Sequence, residues 1–387
     1  MKNNFTVTVI ESNDDFAALR QQWRELLFHS TANTIFLTWE WLYTWWQHFK
    51  QERRLAVMLV KADQELVGIA PLFQEKARLR GLIPIKNLQW LGSGEVGSDY
   101  LNLIIKDGYE EQVCASVYNK ICRYENQWDL LRLTALPERS AIYKNFLNSF
   151  ATDGEYLCRQ GPEYICPYIE LIGHSWQSFL NSLSTNMRYN LRRRSRQVFQ
   201  QLNAEVEQCQ RAEDITHFLD AIFDLHSRRW QLRGGSDGFS GTRIRAFHQA
   251  VAEQFFAQGW LRLYLLKIEN QPVAGIYGLQ YGNTFSFYQS GFAPDWERYS
   301  IGMVLLAQTI KDAIANNLSV YDFLHGEEEY KFKWTNTVRR TYSLMIYPRG
   351  KLVPSLYFFL KELKGKLSQR VDYNSNKERL STKIQSA

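Results

Sequence analysis

The sequence predicts two mixed α/β domains arranged in tandem. Three observations point there. A β-hairpin pattern occurs twice, over residues 55–72 (LAVMLVKADQELVGIAPL) and 261–278 (LRLYLLKIENQPVAGIYG), with Lys61 and Lys267, Asp63 and Glu269, and Val67 and Val273 each 206 positions apart. Each hairpin is an apolar run, a polar turn and a second apolar run. A helical region precedes each hairpin and a helix–strand pair follows it, and such a long repeat is read first as a tandem. The length, 387 residues, agrees with two domains at roughly 100–200 residues each. A hydrophobic content of 45% suffices for two cores, and 12 Trp and 21 Tyr favour an ordered chain.

Taken in order, residues 1–10 read as a strand, without the charged start and long apolar run of a signal peptide. Residues 13–50 read as helical. They include Thr38-Trp39-Glu40-Trp41-Leu42-Tyr43-Thr44-Trp45-Trp46, whose four tryptophans suit a dense core better than a ligand wall. After the first hairpin, residues 92–100 form a polar, Gly-rich loop ending in Asp99-Tyr100. A helix is expected over 109–124 and a strand from Trp128-Asp129-Leu130. The domain boundary is expected between Gly154 and Gly173, where Gly161-Pro162 signals a turn between two short strands, one of which crosses to the neighbouring domain.

The second half opens on a basic helix, 187–202. Met187, Leu191, Val198 and Leu202 form an apolar stripe there, beside a cationic one of Arg188, Arg192 and Arg196. Residues 212–258 repeat the helical region. Leu219, Ile222, His226 and Trp230 share one of its faces, and the Gly-rich stretch 234–241 has the composition of a lid. Beyond the second hairpin come a strand over 285–291, a turn at 297–302, a helix over 303–316 and a strand at Val320-Tyr321-Asp322. A helix is expected over 353–367, with a polar tail after Tyr373.

The charge balance, +6, suits an anionic ligand. Five cysteines without a C-x-x-C pair argue against a disulfide framework or a zinc site and for a reducing compartment. No apolar stretch approaches the roughly 18 residues of a membrane span, so a cytoplasmic chain, at most peripheral to a membrane, is expected. Metalloprotease, Walker and nucleophile-elbow motifs are absent, and the basic helix lacks the aromatic interleaving of a nucleic-acid module, so neither a metal nor DNA is expected.

Two segments carry chemistry. In Glu297-Arg298-Tyr299-Ser300-Ile301-Gly302-Met303, small residues open a helix, where main-chain N–H groups can approach an anion. In Asp322-Phe323-Leu324-His325-Gly326-Glu327-Glu328-Glu329-Tyr330-Lys331-Phe332-Lys333-Trp334, acids, a Tyr and a Lys cluster just past a strand. Acyl transfer to an amine needs a proton acceptor, an oxyanion donor and an acid for the leaving group.

The second segment resembles the GNAT acyltransferase superfamily, in the branch often called CelD/BcsL-like and related to Fem-type aminoacyl transferases. Its hallmark (Asp-Phe-x-x-Gly, three residues, Tyr-Lys, two residues, Trp) is complete at Asp322, Phe323, Gly326, Tyr330, Lys331 and Trp334. The resemblance implies a tandem of GNAT-like domains, each a mostly antiparallel mixed sheet flanked by helices. They would be a degenerate one over 1–160 and a catalytic one over 161–350, followed by a helix and polar tail over 351–387. It implies that Arg298, Ser300, Ile301, Gly302 and Met303 hold the pyrophosphate of a CoA donor. The branch's usual Ser-Pro-Gly is Ser300-Ile301-Gly302 here, and the superfamily's second Gly is missing.

By the same resemblance Tyr330 is the acid and Lys331 serves the oxyanion or a phosphate. Glu328, Glu327 and Asp322 are proton-acceptor candidates, with His325 a weaker one. His226, Trp230, Gln289, Asp99, Tyr100 and Trp334 would border the acceptor. The implied reaction moves an acyl group from acyl-CoA or an acyl-carrier thioester to an amine on a sugar, amino acid or cell-envelope or exopolysaccharide precursor. Two alternatives stand beside it. One is a Fem-like transferase using aminoacyl-tRNA. The other is an inactive GNAT-fold binding module. Arg188, Arg192 and Arg196 would meet a polyanion such as tRNA or a carrier protein.

Overall fold

The computed structural model describes residues 4–79, 83–124, 127–231, 239 and 241–351. The helix expected over 353–367 and the polar tail lie outside the described residues, as does most of 234–241. In chain order the N-terminal half supplies β1 (Phe5–Ile10), α1 (Asn13–Ala18), α2 (Arg20–Phe28), α3 (Trp39–Phe49), β2 (Arg53–Leu55), β3 (Val57–Ala62), β4 (Glu65–Ala70), β5 (Leu72–Leu79), β6 (Ile83–Trp90), β7 (Ile104–Ile105), α4 (Glu110–Arg123), β8 (Leu130–Pro137) and α5 (Leu147–Asp153). Then follow β9 (Tyr156–Glu170), α6 (Trp176–Ser182), α7 (Thr185–Arg196), β10 (Glu205–Gln208), α8 (Ile215–Gln231), α9 (Thr242–Ala257), β11 (Leu261–Ile268), β12 (Gln271–Tyr281), β13 (Thr284–Phe292), α10 (Ile301–Ala315), β14 (Val320–Asp322) and β15 (Val338–Pro348).

Both expected hairpins form, as β3–β4 and β11–β12. Their likeness reaches into the backbone. The register slips between Val60 and Lys61 in the first and between Leu266 and Lys267 in the second, again 206 positions apart. Asp63 and Glu269 occupy equivalent turn positions with φ of 54° and 51°. Left-handed backbone at a non-glycine residue is uncommon, so a shared bulge and a shared turn residue together support duplication over chance likeness.

The strands form a four-stranded sheet, β1-β3-β4-β7, and an eleven-stranded one, β10-β11-β12-β13-β14-β9-β15-β8-β6-β5-β2. The larger sheet joins the two halves through β9. That strand pairs with β14 near its C-terminal end, Tyr168 opposite Asp322, and with β15 along the rest. The turn expected at Gly161-Pro162 is not one, because β9 runs unbroken through both residues. They sit instead at an irregularity, where Gln160 and Glu163 oppose Leu344 and Tyr342. A Cβ on Gly161 would lie 3.0 Å from that of Ser343. Pro lacks the N–H of a ladder residue, and a bulge is where a sheet tolerates it.

The two main cores divide along the sheet, not between the chain halves. Leu261, Leu263 and Leu265 of β11 face a core shared with α3, α8 and α9. Tyr264, Leu266 and Ile268, the alternate residues, face α6, α7 and α10. Trp39, Trp41, Trp45 and Trp46 are all buried in the first core, as expected of packing residues. The indole N–H of Trp41 donates to Ser98 Oγ at 2.8 Å, pinning the 92–100 loop above α3. In α7 the buried residues are Met187 and Leu191, and Val198 continues the stripe. Among the described residues no helix is long and apolar enough to cross a membrane.

Candidate functional site

Strands β13 and β14 run parallel but pair only over Thr284–Ser286 and Val320–Asp322. Beyond Ser286 they diverge, and the edge of β13 loses its neighbour. A cavity of about 890 Å³ occupies the splay. Residues 287–292 of β13 form its floor, the first turn of α10 one wall, and residues 323–334 the other. Glu95, Val96, Gly97 and Asp99 close it from the N-terminal half. The floor is itself irregular. Tyr277 pairs with Gln289 and Gly278 with Phe287, which leaves Tyr288 as an extra residue. Such a bulge breaks the ladder and re-aims main-chain groups.

The wall from α10 is the N-terminal turn of the helix. A helix leaves its first N–H groups without partners inside the helix. Ser300, the cap residue, has φ 55° and makes no side-chain capping bond. Ser300, Ile301, Gly302 and Met303 all line the cavity. A Cβ at Gly302 would meet only the Phe292 ring, Cδ1 at 3.4 Å and Cε1 at 3.9 Å, which are ordinary contacts. Packing therefore does not require glycine there, although glycine costs a helix about 1 kcal/mol relative to alanine. Arg298 is outside the cavity lining, with its guanidinium 4.7 Å from the Tyr299 ring centroid.

The opposite wall is held by two ionic knots. Asp322 is 1% exposed and does not line the cavity. It accepts from Tyr100 Oη at 2.9 Å, from Arg339 Nη1 at 2.8 Å and from the Leu324 N–H at 2.8 Å. Tyr100 and Leu324 both have left-handed backbone, φ 56° each. Strain of that kind persists where surrounding contacts over-determine it. Burial pushes the Asp322 carboxyl up to about 6, against the pull of Arg339.

Because that folded value lies above the unfolded one of about 3.9, the native state holds the extra proton between the two. The contribution of Asp322 to stability is thus present at low pH and lost as pH rises through about 6. The urea midpoint of the wild type, measured relative to Asp322→Asn, should decline between about pH 4 and 6 and level off above. A constant difference across that window would contradict this.

Lys331, only 3% exposed, makes the second knot. Its ammonium donates to the His325 carbonyl at 2.9 Å and pairs with Glu328 Oε2 at 2.9 Å. Gly326 (φ 129°) lies beneath this pair, and a Cβ there would stand 2.3 Å from Glu328 Oε2 and 2.8 Å from Lys331 Nζ. Glu327 and Glu329 are exposed on the same rim. Tyr330 lines the cavity, as does Trp334, whose ring stacks on Phe179 at 6.5 Å.

A second pairing across the two halves lies on the cavity wall. His325 Nδ1 lies 2.9 and 3.0 Å from the two Asp99 carboxylate oxygens, and the His325 main-chain N–H donates to Asp99 Oδ2 at 3.1 Å. Asp99 is 2% exposed, and both residues line the cavity. The Asp99 carboxylate, by hydrogen bond and by charge, raises the His325 pKa above its ordinary value, against burial. Sequence reasoning had both residues as candidates but not their partnership. They are 226 positions apart, and no spacing rule connects them.

Of the other candidates, Gln289 lines the cavity floor. Tyr100 and Arg339 border a smaller cavity, of about 360 Å³, on the other side of Asp322. His226 is buried behind β13, its ring 5.0 Å from Phe239, and it does not line the cavity. The Trp230 side chain lies outside the described residues. On α7, Arg188 donates to Asn181 O at 2.7 Å, while Arg192 and Arg196 are exposed and outside the cavity lining.

Residues 185–332 match the family model described as the acetyltransferase (GNAT) domain. That span holds every residue of both cavity walls except Lys333 and Trp334, together with the whole floor. Over the whole chain the fold is similar to the crystal structure of FemX, at 10% identity, 91% coverage of this chain and 99% of that one, with a TM-score of 0.61. It is also similar to the C-terminal domain of a putative lysylphosphatidylglycerol synthetase from Agrobacterium fabrum (10% identity, 91% and 96% covered, TM-score 0.54). A conserved protein of unknown function from Bacteroides thetaiotaomicron is comparable (13% identity, 88% and 99% covered, TM-score 0.53). At such identities the likeness is one of fold. No curated protein matches the sequence. With the repeated hairpins, the architecture is a tandem, GNAT-like mixed α/β fold whose antiparallel and mixed sheets are flanked by helices.

Proposed function

We propose that this protein is an N-acyltransferase of the CelD/BcsL-like kind, which moves an acyl group from a CoA or carrier-protein thioester to a primary amine. The acceptor amine would sit on a sugar, an amino acid or a cell-envelope precursor. The observation that carries this reading is the single cavity that brings the α10 turn and the Tyr330–Lys331 segment onto facing walls. The first-turn amides of α10 offer an anion site, and Gly302 leaves room for phosphate oxygens to reach them. The thioester would extend along the free edge of β13, whose main-chain N–H groups can hold the developing oxyanion. Tyr330, on the far wall, stands as the acid for the leaving thiolate. Asp322 and Lys331 are engaged with their neighbours, so the reading gives them the work of fixing residues 323–331. Residues 1–160 would act as a non-catalytic partner that closes the acceptor side through Glu95–Asp99.

A thermal-shift titration of the full chain with CoA, acetyl-CoA and long-chain acyl-CoA tests this. A ligand at 100 times its Kd raises stability by about 2.7 kcal/mol, which is readily seen. The shift should persist in Tyr330→Phe, because that hydroxyl acts on the leaving group, while turnover falls. No shift with any CoA species would remove the proposal. The exposed Arg192 and Arg196 and the FemX-like fold favour one second reading, an aminoacyl-tRNA donor. Loss of activity on ribonuclease treatment would select it.

A further inference from the structure

We infer that the proton acceptor for the attacking amine is His325, held in its working tautomer by Asp99 from the N-terminal half. This rests on the acyl-transfer reading and assigns a residue within it.

The geometry restricts the alternatives. A carboxylate can only accept hydrogen bonds. With both Asp99 oxygens within 3.0 Å of Nδ1, that nitrogen carries the hydrogen, and Nε2 keeps its lone pair in the neutral ring. The Asp99 carboxylate is buried, whereas the His325 side chain is 48% exposed on the cavity wall. A buried acid that orients an open imidazole is the division of labour a general base requires. The main-chain bond from His325 N–H to Asp99 Oδ2 fixes the pair at a second point. Glu328 is committed otherwise, since its carboxylate pairs with the Lys331 ammonium, and Asp322 lies behind the wall. The charged and titratable groups facing His325 are Asp99 from the 92–100 loop, Lys331 and Glu328 from its own segment and the Tyr164 ring of β9 at 5.9 Å. Asp99 and Glu328 favour the imidazolium and Lys331 opposes it.

The step balances. The neutral amine attacks the thioester carbonyl carbon and a C–N bond forms. The nitrogen then passes one proton to His325 Nε2. The C–S bond breaks with its electron pair on sulfur, and the thiolate takes a proton from the Tyr330 hydroxyl. The imidazolium returns its proton to the Tyr330 phenolate by way of solvent. The products are an amide and a thiol, and both side chains end as they began.

This assignment predicts the pH profile. Only the neutral ring accepts a proton, so kcat/KM should fall as pH drops through the raised pKa of His325. Removing the Asp99 charge lowers that pKa, so the acidic limb in Asp99→Asn should move to lower pH, with kcat about tenfold down from lost orientation. Asp99 is thus a positioning residue and His325 the catalytic one.

The test uses the full chain with acetyl-CoA as donor and glucosamine as probe amine, reading released thiol. His325→Gln should lower kcat at least 100-fold while the acetyl-CoA thermal shift stays that of the wild type. Glu328→Gln should move the acidic limb to lower pH by less than Asp99→Asn does, because its charge favours the imidazolium more weakly. Full turnover in His325→Gln with an intact shift would overturn the inference. An absent shift in the wild type would instead sink the acyl-CoA reading. Nitrogen NMR of histidine-labelled protein decides the inference without any substrate. The expected result is a His325 ring protonated at Nδ1, with a pKa above the ordinary value that drops in Asp99→Asn. A ring protonated at Nε2, or a pKa indifferent to Asp99, overturns it.

Discussion

Gly291→Ala should destabilise the protein by about 3 kcal/mol, the upper end of what overpacking usually costs. A Cβ at that position would lie 2.2 Å from His226 N, 2.5 Å from Leu225 C and 2.8 Å from His226 Cα. All three are backbone atoms of α8, so no rotamer change relieves the clash, and helix and strand must part. Gly291 also lies in the cavity floor, so the displacement would reach the oxyanion position of the proposed site. Gly94→Ala is not a steric control, because φ there is 96°. Gly241→Ala is one, since its nearest neighbour would be Ile244 Cδ1 at 3.6 Å. Urea unfolding of the two variants reads the difference. Equal midpoints would mean that α8 yields to the added methyl.

The second large effect separates binding from folding. Gly302→Asp puts a carboxylate in the first turn of α10, where an acid stabilises a helix by about 0.3–1 kcal/mol. Removing a helical glycine adds up to about 1 kcal/mol. Stability should therefore hold or rise. The same carboxylate would repel a pyrophosphate at those amides, and affinity for CoA should fall about 100-fold, or roughly 2.7 kcal/mol. Gly302→Ala serves as the intermediate case, adding a methyl without charge. If CoA shifts the melting of Gly302→Asp as it does the wild type, the α10 turn is not the phosphate site.

Much of this was legible from local pattern. The hairpins and α10 follow from apolar periodicity, and α10 begins two residues earlier than expected because Ile301 and Gly302 already adopt helical geometry. The 322–334 segment was legible through its resemblance to a known acyltransferase pattern. What escaped were long-range pairings. Asp99 with His325 and Tyr100 with Asp322 join residues more than 220 positions apart, and neither partner's local sequence names the other. The Gly161-Pro162 reading failed for a related reason. That dipeptide marks broken pairing, and whether the chain turns there or only bulges depends on β15, far downstream. The division of the cores by the sheet was likewise invisible to composition.

The placement of β15 has a consequence for synthesis. That strand lies between β9 and β8, and its last residues are at position 348. Until a ribosome has delivered them, β8 has an open side where β15 will later dock, and an uncovered strand edge invites intermolecular pairing. The nascent N-terminal half must therefore wait, partly assembled, until β15 has been made. Such late closure slows folding and lengthens exposure to aggregation. The strand order that seats β15 between β9 and β8 thus makes the two halves depend on each other in folding.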